Sequence, residues 1–548
     1  MNVAQLFIKC LESEGVTKIF GVPGEETEDL QYAIQDSTIE FIPCRHEQGA
    51  AFIANVWGRL SGKAGVCLST LGPGATNLIT GLADAYLDKA PVVAITGQGN
   101  LTRMHHESHQ MLNVVDMFSH FTKWNAAIPA PEVVPEIVRK AFKIAEIEKP
   151  GTTHIELSED VAKMSAPVLS APLAKSNFQR PSPDTKLLKK LMSYLHLAER
   201  PMIIVGNGGV RDNISDCLTK FVTSLNLATV STFMGKGVLS DKLPQSLFSL
   251  GLGFKDYVMD AVKQSDLIIT IGYDIAEYAP DNWNPEGNKD IIHIDYEPAE
   301  VYKNYIPKME LIGDIAQILE GLNEINNSIV VLPKNGDWFN KVRERIVNDI
   351  SSYDLASEDA FNAPGVLNIL REHMADEDIL ISDVGSHKMW IARNFPTYSP
   401  NGCIISNGLA SMGISLPGGI AACLLHPEKN VISVMGDGGF LMNVQELETA
   451  KRLGVGYTVI VLNDNDYGLI SWKQDRHTGK TAGTKINNPD FVRLGESFGI
   501  ESFNPSTPAE LDEVLKSRLP KKEMTLIQIN IETEVNQELI KKLKKHFA

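Results

Sequence analysis

The chain has 548 residues, which at roughly 100–200 residues per domain suffices for about three or four domains. Apolar residues make up 43% and charged residues 22%, an ordinary soluble globular mix. The net charge of −17 argues against a general nucleic-acid or anionic-membrane partner, since broad phosphate binding needs a basic field, yet it leaves room for a local anion site of backbone N–H groups and a metal.

The opening MNVAQLFIKCLESEG reads as an amphipathic helix without the basic n-region and apolar h-region of a signal peptide. Strand-like EFIPC then runs into RHEQGAAF, where Glu47 starts a helical pattern. By default a glutamate there is only a favourable dipole contact. AGVCLST, PVVAITG and THIELS read as buried strands, with loops GVPGE (21–25) and LGPGATN (71–77). Histidines 105, 106 and 109 do not have a zinc spacing on one helix face. The six cysteines (10, 44, 67, 217, 403, 423) form no C-x-x-C pair and fit free thiols in a reducing cytoplasm.

Ser-, Pro- and Ala-rich 165–184 reads as a linker. Past it, PMIIVGN, DLIITIG and DIIHID repeat the pattern of apolar runs between helices. GNGGVR (206–211) follows the first of these, but it lacks G-x-G-x-x-G and a placed ribose acid, so it reads as a vestigial Rossmann-like loop. A second linker, 351–365, leads to DILISD, NVISVMGD and YTVIVLND. Continuous apolar runs of this kind predict parallel sheets covered on both faces. The expected fold is three doubly wound α/β domains over 1–165, 185–350 and 360–535, with a tail at 536–548. The longest apolar stretch, Met412 to Leu425, is broken by Gly and Pro and is no membrane span.

NVISVMGD ends on Gly436, Asp437, Gly438 and Gly439. One helix later YTVIVL ends on Asn463, Asp464, Asn465 and Asp466. A GDGG turn alone is common. As one βαβ unit, however, its parallel strands put Asp437 and Asp464 on the same sheet edge. Two carboxylates beside glycine N–H groups and a new helix start suit Mg²⁺ shared with a diphosphate. Asn463 and Asn465 read as turn residues.

GDG, 24 residues, then Asn-Asp is similar to the thiamine diphosphate fingerprint. The chain resembles the acetolactate synthase branch of thiamine-diphosphate-dependent enzymes, over nearly its whole length. The resemblance implies a pyrimidine-binding domain, a central domain and a diphosphate-binding domain, in that order. It implies side-chain metal ligands at Asp437 and Asp464, with the Asp466 carbonyl, and diphosphate contacts at Ser386 and His387. It implies cofactor contacts at Val22, Pro23, Gly24, Pro73, Asn77, Gly436, Gly438, Gly439, Tyr467, Gly468 and Leu469. Glu47 would bind N1′ of the aminopyrimidine and so promote proton loss from the thiazolium C2. Met412, in SNGLASMG, would wedge the cofactor into a V shape, and the Ala410 carbonyl would meet the aminopyrimidine. Gln110 would lie near the reacting carbonyl. Active sites would be shared between subunits of a homodimer or homotetramer.

Asp464, where relatives often carry asparagine, and Tyr273-Asp274-Ile275, in place of an Arg-Phe-Asp-Asp-Arg-like stretch, resemble the catabolic branch, in which FAD is not expected. The substrate pocket departs from that branch. Glu26 stands where those enzymes carry lysine, and Ala410 and Lys473 where they carry glutamine. Trp472 joins Glu26, Gln110 and Lys473 as expected pocket residues. Repulsion of an anionic acceptor by Glu26 would need compensation from Lys473 or a mobile C-terminal segment. The expected reaction is decarboxylation of pyruvate and transfer of the hydroxyethyl unit to a second pyruvate, giving 2-acetolactate and CO₂. Another 2-oxo acid or an aldehyde acceptor is the alternative.

Overall fold

The computed structural model describes all residues except 177–179, 253–254, 329–336, 354–359 and 548, so parts of both expected linkers lie outside the described residues. The first sheet contains β1 (Lys18–Gly21), β2 (Glu40–Pro43), β3 (Gly65–Ser69), β4 (Val92–Gln98), β5 (Trp124–Ala127) and β6 (Thr152–Ser158). The second contains β7 (Pro201–Val205), β8 (Ala228–Ser231), β9 (Ser246–Ser249), β10 (Leu267–Ile271), β11 (Asp290–Asp295) and β12 (Met309–Ile312). The third contains β13 (Ile379–Ser382), β14 (Cys403–Ile405), β15 (Val431–Gly436), β16 (Thr458–Asn463), β17 (Glu501–Phe503) and β18 (Thr525–Asn530).

The strand pairs are parallel. The central strands, such as β4 and β10, are buried at every position. This is the consequence of helices on both faces, and it explains why their sequences show no polar alternation. Counted within each domain, the first and third sheets share the order 2-1-3-4-6-5. The central sheet runs 3-2-1-4-5-6, the order of dinucleotide-binding sheets.

At the reversal point of that central sheet, the loop after β7 carries Gly206, Asn207, Gly208 and Gly209. A Cβ on Gly208 would lie 2.6 Å from Gly272, so the two strand-end loops touch through bare backbone. The Glu277 carboxylate accepts from Asn207 N at 3.0 Å and from the Thr232 hydroxyl. Burial pushes its carboxyl up to about 7. The chain's own side chain thus takes up the N–H group at the start of the short helix that follows β7.

The three domains share cores. The Glu47–Ser61 helix of the first domain packs on the Ser415–Leu425 helix of the third. Small residues permit the approach: a Cβ on Gly418 would come within 3.0 Å of Val56. The tail expected to be mobile is instead the end of a helix, Glu534–Phe547, whose Val535, Leu539, Ile540 and Leu543 are buried. Asn536 accepts a hydrogen bond from Trp390 Nε1 at 2.7 Å, which pins this helix to the third domain.

Candidate active site

A cavity of about 170 Å³ opens at the carboxyl ends of β13, β15 and β16. It brings together Ser386, His387, Ala410, Met412, Gly436, Asp437, Gly438, Gly439, Asp464, Asp466, Tyr467, Gly468 and Leu469, all singled out from sequence. Parallel register pairs Gly436 with Leu462, which sets Asp437 and Asp464 side by side at the sheet edge.

Asp437 starts a short helix, Asp437–Met442. Its Oδ1 accepts from Gly438 N at 2.7 Å. Its Oδ2 accepts from Asn465 N at 2.8 Å and from Asn488 Nδ2 at 2.7 Å. Asp464 Oδ1 accepts from Asp466 N at 3.1 Å. Burial first, and then the charge of Asp437, push the Asp464 carboxyl up to about 7. Asn465 holds the turn in the left-handed region, φ 53°, which asparagine tolerates. The Asp466 side chain is engaged by Ser471 and Lys485.

His387 is buried and pushed down to about 4 by desolvation, so the ring is neutral at pH 7. Its Nε2 has no hydrogen-bond partner although it lines the cavity. A Cβ on Gly468 would fall 2.6 Å from Asp464 Oδ2 and 3.3 Å from Ser386 Oγ, so only glycine leaves that space open. Among the described residues no group of three or more His, Cys, Asp or Glu side chains is arranged to hold a metal alone. Two adjacent carboxylates in need of a cation, an unsatisfied imidazole nitrogen and a glycine-lined floor fit a diphosphate that completes the coordination of a divalent ion. Asp437 and Asp464 would hold that ion.

Ala410 sits at φ 60°, a strained conformation for a residue with a Cβ. The Met412 methyl reaches toward the Gly438 end of the cavity.

The remaining candidates form a second cluster at the strand ends of the first sheet. Glu47, 8% exposed, accepts from Asn77 Nδ2 at 3.0 Å. Its Oε1 lies 3.3 Å from a Cβ position on Gly74, next to Pro73. Val22, Pro23 and Gly24 follow β1, and Gly24 packs against Thr70. The Thr70 hydroxyl donates to Glu26 at 2.5 Å. Gln110, at φ 58°, abuts Gly72. None of these residues lines the cavity of the third domain.

Two residues expected in the substrate pocket lie off this cavity. Trp472 is buried and stacks on Trp390 with centroids 6.5 Å apart, inside the core rather than on the cavity wall. Lys473 is exposed and does not line the cavity either. Sequence reading missed Val384, Gly385, Leu462, Ile470 and Ile531 on the wall. It also missed Asn488, whose amide gathers Asp437, Asn463 and Asn465 from 23 or more positions away. KINNPD carries no local signal for that role.

Residues 1–117, 188–322 and 383–529 match the thiamine pyrophosphate enzyme N-terminal TPP binding domain, central domain and C-terminal TPP binding domain. An acetolactate synthase of Bacillus subtilis is 33% identical over all of this chain and 96% of its own length. The catabolic acetolactate synthase of Raoultella terrigena is 33% identical over 94% of this chain and 92% of its own. A probable acetolactate synthase large subunit of Methanocaldococcus jannaschii is 34% identical over 97% and 92%.

Proposed function

The chain belongs to the thiamine pyrophosphate enzymes of the acetolactate synthase type, and from that premise we propose that it decarboxylates pyruvate and joins the hydroxyethyl unit to a second pyruvate, releasing 2-acetolactate and CO₂. The observation that carries the reading is the convergence of Asp437, Asp464, His387, Ala410 and Met412 on one cavity. Bound there, thiamine diphosphate (thiamine pyrophosphate) supplies the carbon nucleophile and the electron sink for decarboxylation.

The chain's own groups do the rest. Asp437 and Asp464 hold Mg²⁺, with the Asp466 carbonyl beside them, while Ser386 and His387 take diphosphate oxygens. Met412 and the Ala410 carbonyl orient the aminopyrimidine. Glu47, oriented by Asn77, holds the proton at N1′ that the cofactor needs for activation. Gln110 and Glu26 face the substrate side. We infer that FAD is not required, and the Glu277 carboxylate at the central glycine loop supports this.

The Glu47 cluster and the cavity are separate within one chain, which supports a homodimer or homotetramer with shared sites. Exposed apolar groups support it too: Tyr467 and Ile470 on the cavity wall, 37% and 48% exposed, and Leu409 beside Ala410. Among the described residues no helix is long and apolar enough to cross a membrane, and a cytoplasmic enzyme is the proposed location.

Glu26 favours a second reading with an aldehyde acceptor, which is uncharged where pyruvate is anionic, because among the described residues its carboxylate meets the Thr70 hydroxyl and no basic side chain. Incubation with pyruvate, thiamine diphosphate and Mg²⁺, followed by mass spectrometry of the product, decides. 2-Acetolactate is expected. CO₂ release without it, with ligation only to an added aldehyde, establishes the alternative. Co-expression of Glu47→Ala and Asp437→Ala chains tests the shared site: each is inactive alone and the mixed dimer recovers partial activity.

A further inference from the structure

The loop 406–411, which carries Ala410 and leads into Met412, is held by another domain. Asp84 and Asp88 stand one helical turn apart at the end of the Pro73–Leu87 helix, and both are fully buried. Asp84 Oδ1 accepts from Ser406 Oγ at 2.7 Å and from Ser411 N at 3.2 Å, closing the two ends of the loop on one atom. Asp88 Oδ1 accepts from Gly408 N at 2.7 Å and Asn407 N at 3.3 Å in the middle of the loop. A Cβ on Gly408 would fall 2.7 Å from the Leu87 carbonyl, so the loop lies directly on the helix end. The far carboxylate oxygens are held by the neighbouring helix: Asn55 Nδ2 donates to Asp84 at 2.9 Å and Arg59 to Asp88 at 3.2 Å.

Stability alone does not favour this arrangement. Carboxylates at a helix C-terminus oppose the dipole, and burying them side by side is costly. Burial and mutual repulsion push Asp84 up to about 7.

The same device runs in the other direction. Glu446, buried at the start of the Glu446–Leu453 helix of the third domain, accepts from His46 N at 3.0 Å and Arg45 N at 3.1 Å. Those two amides immediately precede Glu47. In both domains the carboxylate sits beyond strand 3 and grips the chain leaving strand 2 of the other domain.

We propose that Asp84 and Asp88 are positioning residues for the Ala410–Met412 side of the cofactor site, and that Glu446 is the reciprocal positioning residue for Glu47. Each acts across a domain boundary within its own chain. The inference rests on the shared-site reading above. It has a crossed signature, because a clamp belongs functionally to the domain it grips and not to the domain that carries it.

The test uses the holoenzyme with thiamine diphosphate and Mg²⁺. Asp88→Asn is expected to lower kcat by about 100-fold, and Ser406→Ala by about tenfold. Calorimetric cofactor affinity should change little, because Asp437 and Asp464 are untouched, while exchange of the cofactor C2 proton, followed by NMR, slows with kcat. In co-expression, Asp88→Asn chains should recover activity with Glu47→Ala chains but not with Asp437→Ala chains. Glu446→Gln chains should do the reverse. The uncrossed pattern, or a fall of cofactor affinity and melting temperature in step with kcat, overturns the proposal. So does a folded Ser406→Ala enzyme with unchanged kcat and C2 exchange, which decides the matter if Asp88→Asn does not fold. If the Glu47→Ala and Asp437→Ala pair itself recovers nothing, the shared site is wrong, and the kcat, C2-exchange and affinity measurements still judge the clamp.

Discussion

The first and third domains have the same strand order and opposite chemistry. The loop after strand 1 is Val22-Pro23-Gly24 in one and Gly385-Ser386-His387 in the other. Beyond strand 2 comes Glu47, a carboxylate that accepts from Asn77, or Ala410 and Met412, which offer a carbonyl and a thioether. Beyond strand 3 comes Pro73 or Asp437, and beyond strand 4 the Gln110 loop or Asp464. One scaffold presents four strand-end loops; on the proposed reading those of the first domain would meet the organic ring, while those of the third would meet the charged tail and, through Ala410 and Met412, the ring as well. The order in which strands pair fixes where a loop stands, while the loop sequence decides what it holds.

The sharpest way to break this comparison is to remove the defining carboxylate from each side. Asp437→Ala should abolish activity by abolishing cofactor retention, seen as loss of calorimetric binding of thiamine diphosphate with Mg²⁺. Glu47→Gln should lower kcat by about 1,000-fold while leaving that binding within a small factor, since a misplaced or missing proton carrier costs rate rather than anchoring. Equal losses of binding in both variants would erase the division of labour. Met412→Ala comes next. A loss of about 100-fold in kcat with near-normal affinity is expected from misorientation of the ring, measured by steady-state kinetics alongside calorimetry.

Asn488→Ala tests the support of the charged side. It strips one donor from Asp437 and frees Asn463 and Asn465, so affinity for Mg²⁺ should fall by about tenfold, as measured by titrating the metal into enzyme with thiamine diphosphate. The smallest effect concerns the central domain, whose glycine loop binds the Glu277 carboxylate through Asn207 N. Its carboxyl is raised from 4.5 to about 7 on folding, so the protonated form is favoured in the native state. The stability this contributes is complete below the unfolded value and is lost as pH rises through about 7. The melting temperature of the cofactor-free protein should therefore fall between about pH 5 and 8, with Asp84 and Asp464 adding to the slope, and Glu277→Gln should make it shallower. An unchanged slope would remove Glu277 as one source.

The three-domain α/β plan was legible because buried parallel strands are written as unbroken apolar runs. The Asp437–Asp464 pair was legible because a βαβ unit must return its strands to the same edge. The packing of Trp472 was not legible for a related reason: an aromatic near a site motif reads the same whether it turns toward the cavity or onto Trp390. Lys473, its neighbour, turns to solvent. The tail misled because its many lysines hide the buried row of Val535, Leu539, Ile540 and Leu543 on the opposite face.

By itself the sequence determined the sheets, the strand ends that carry chemistry and the residue types waiting there, since these depend on hydrophobic period and chain connectivity. Tertiary structure alone decided that the first and third sheets share one strand order, that Glu277 binds the central glycine loop, and that Asn488 gathers the acidic turn. It alone brought Asp84, Asp88 and Glu446 to the opposite domain's loops, across more than 300 positions of chain. Such partners are chosen by packing in space. A buried carboxylate finds whichever unpaired N–H groups the fold delivers to it, and nothing in its local sequence names them.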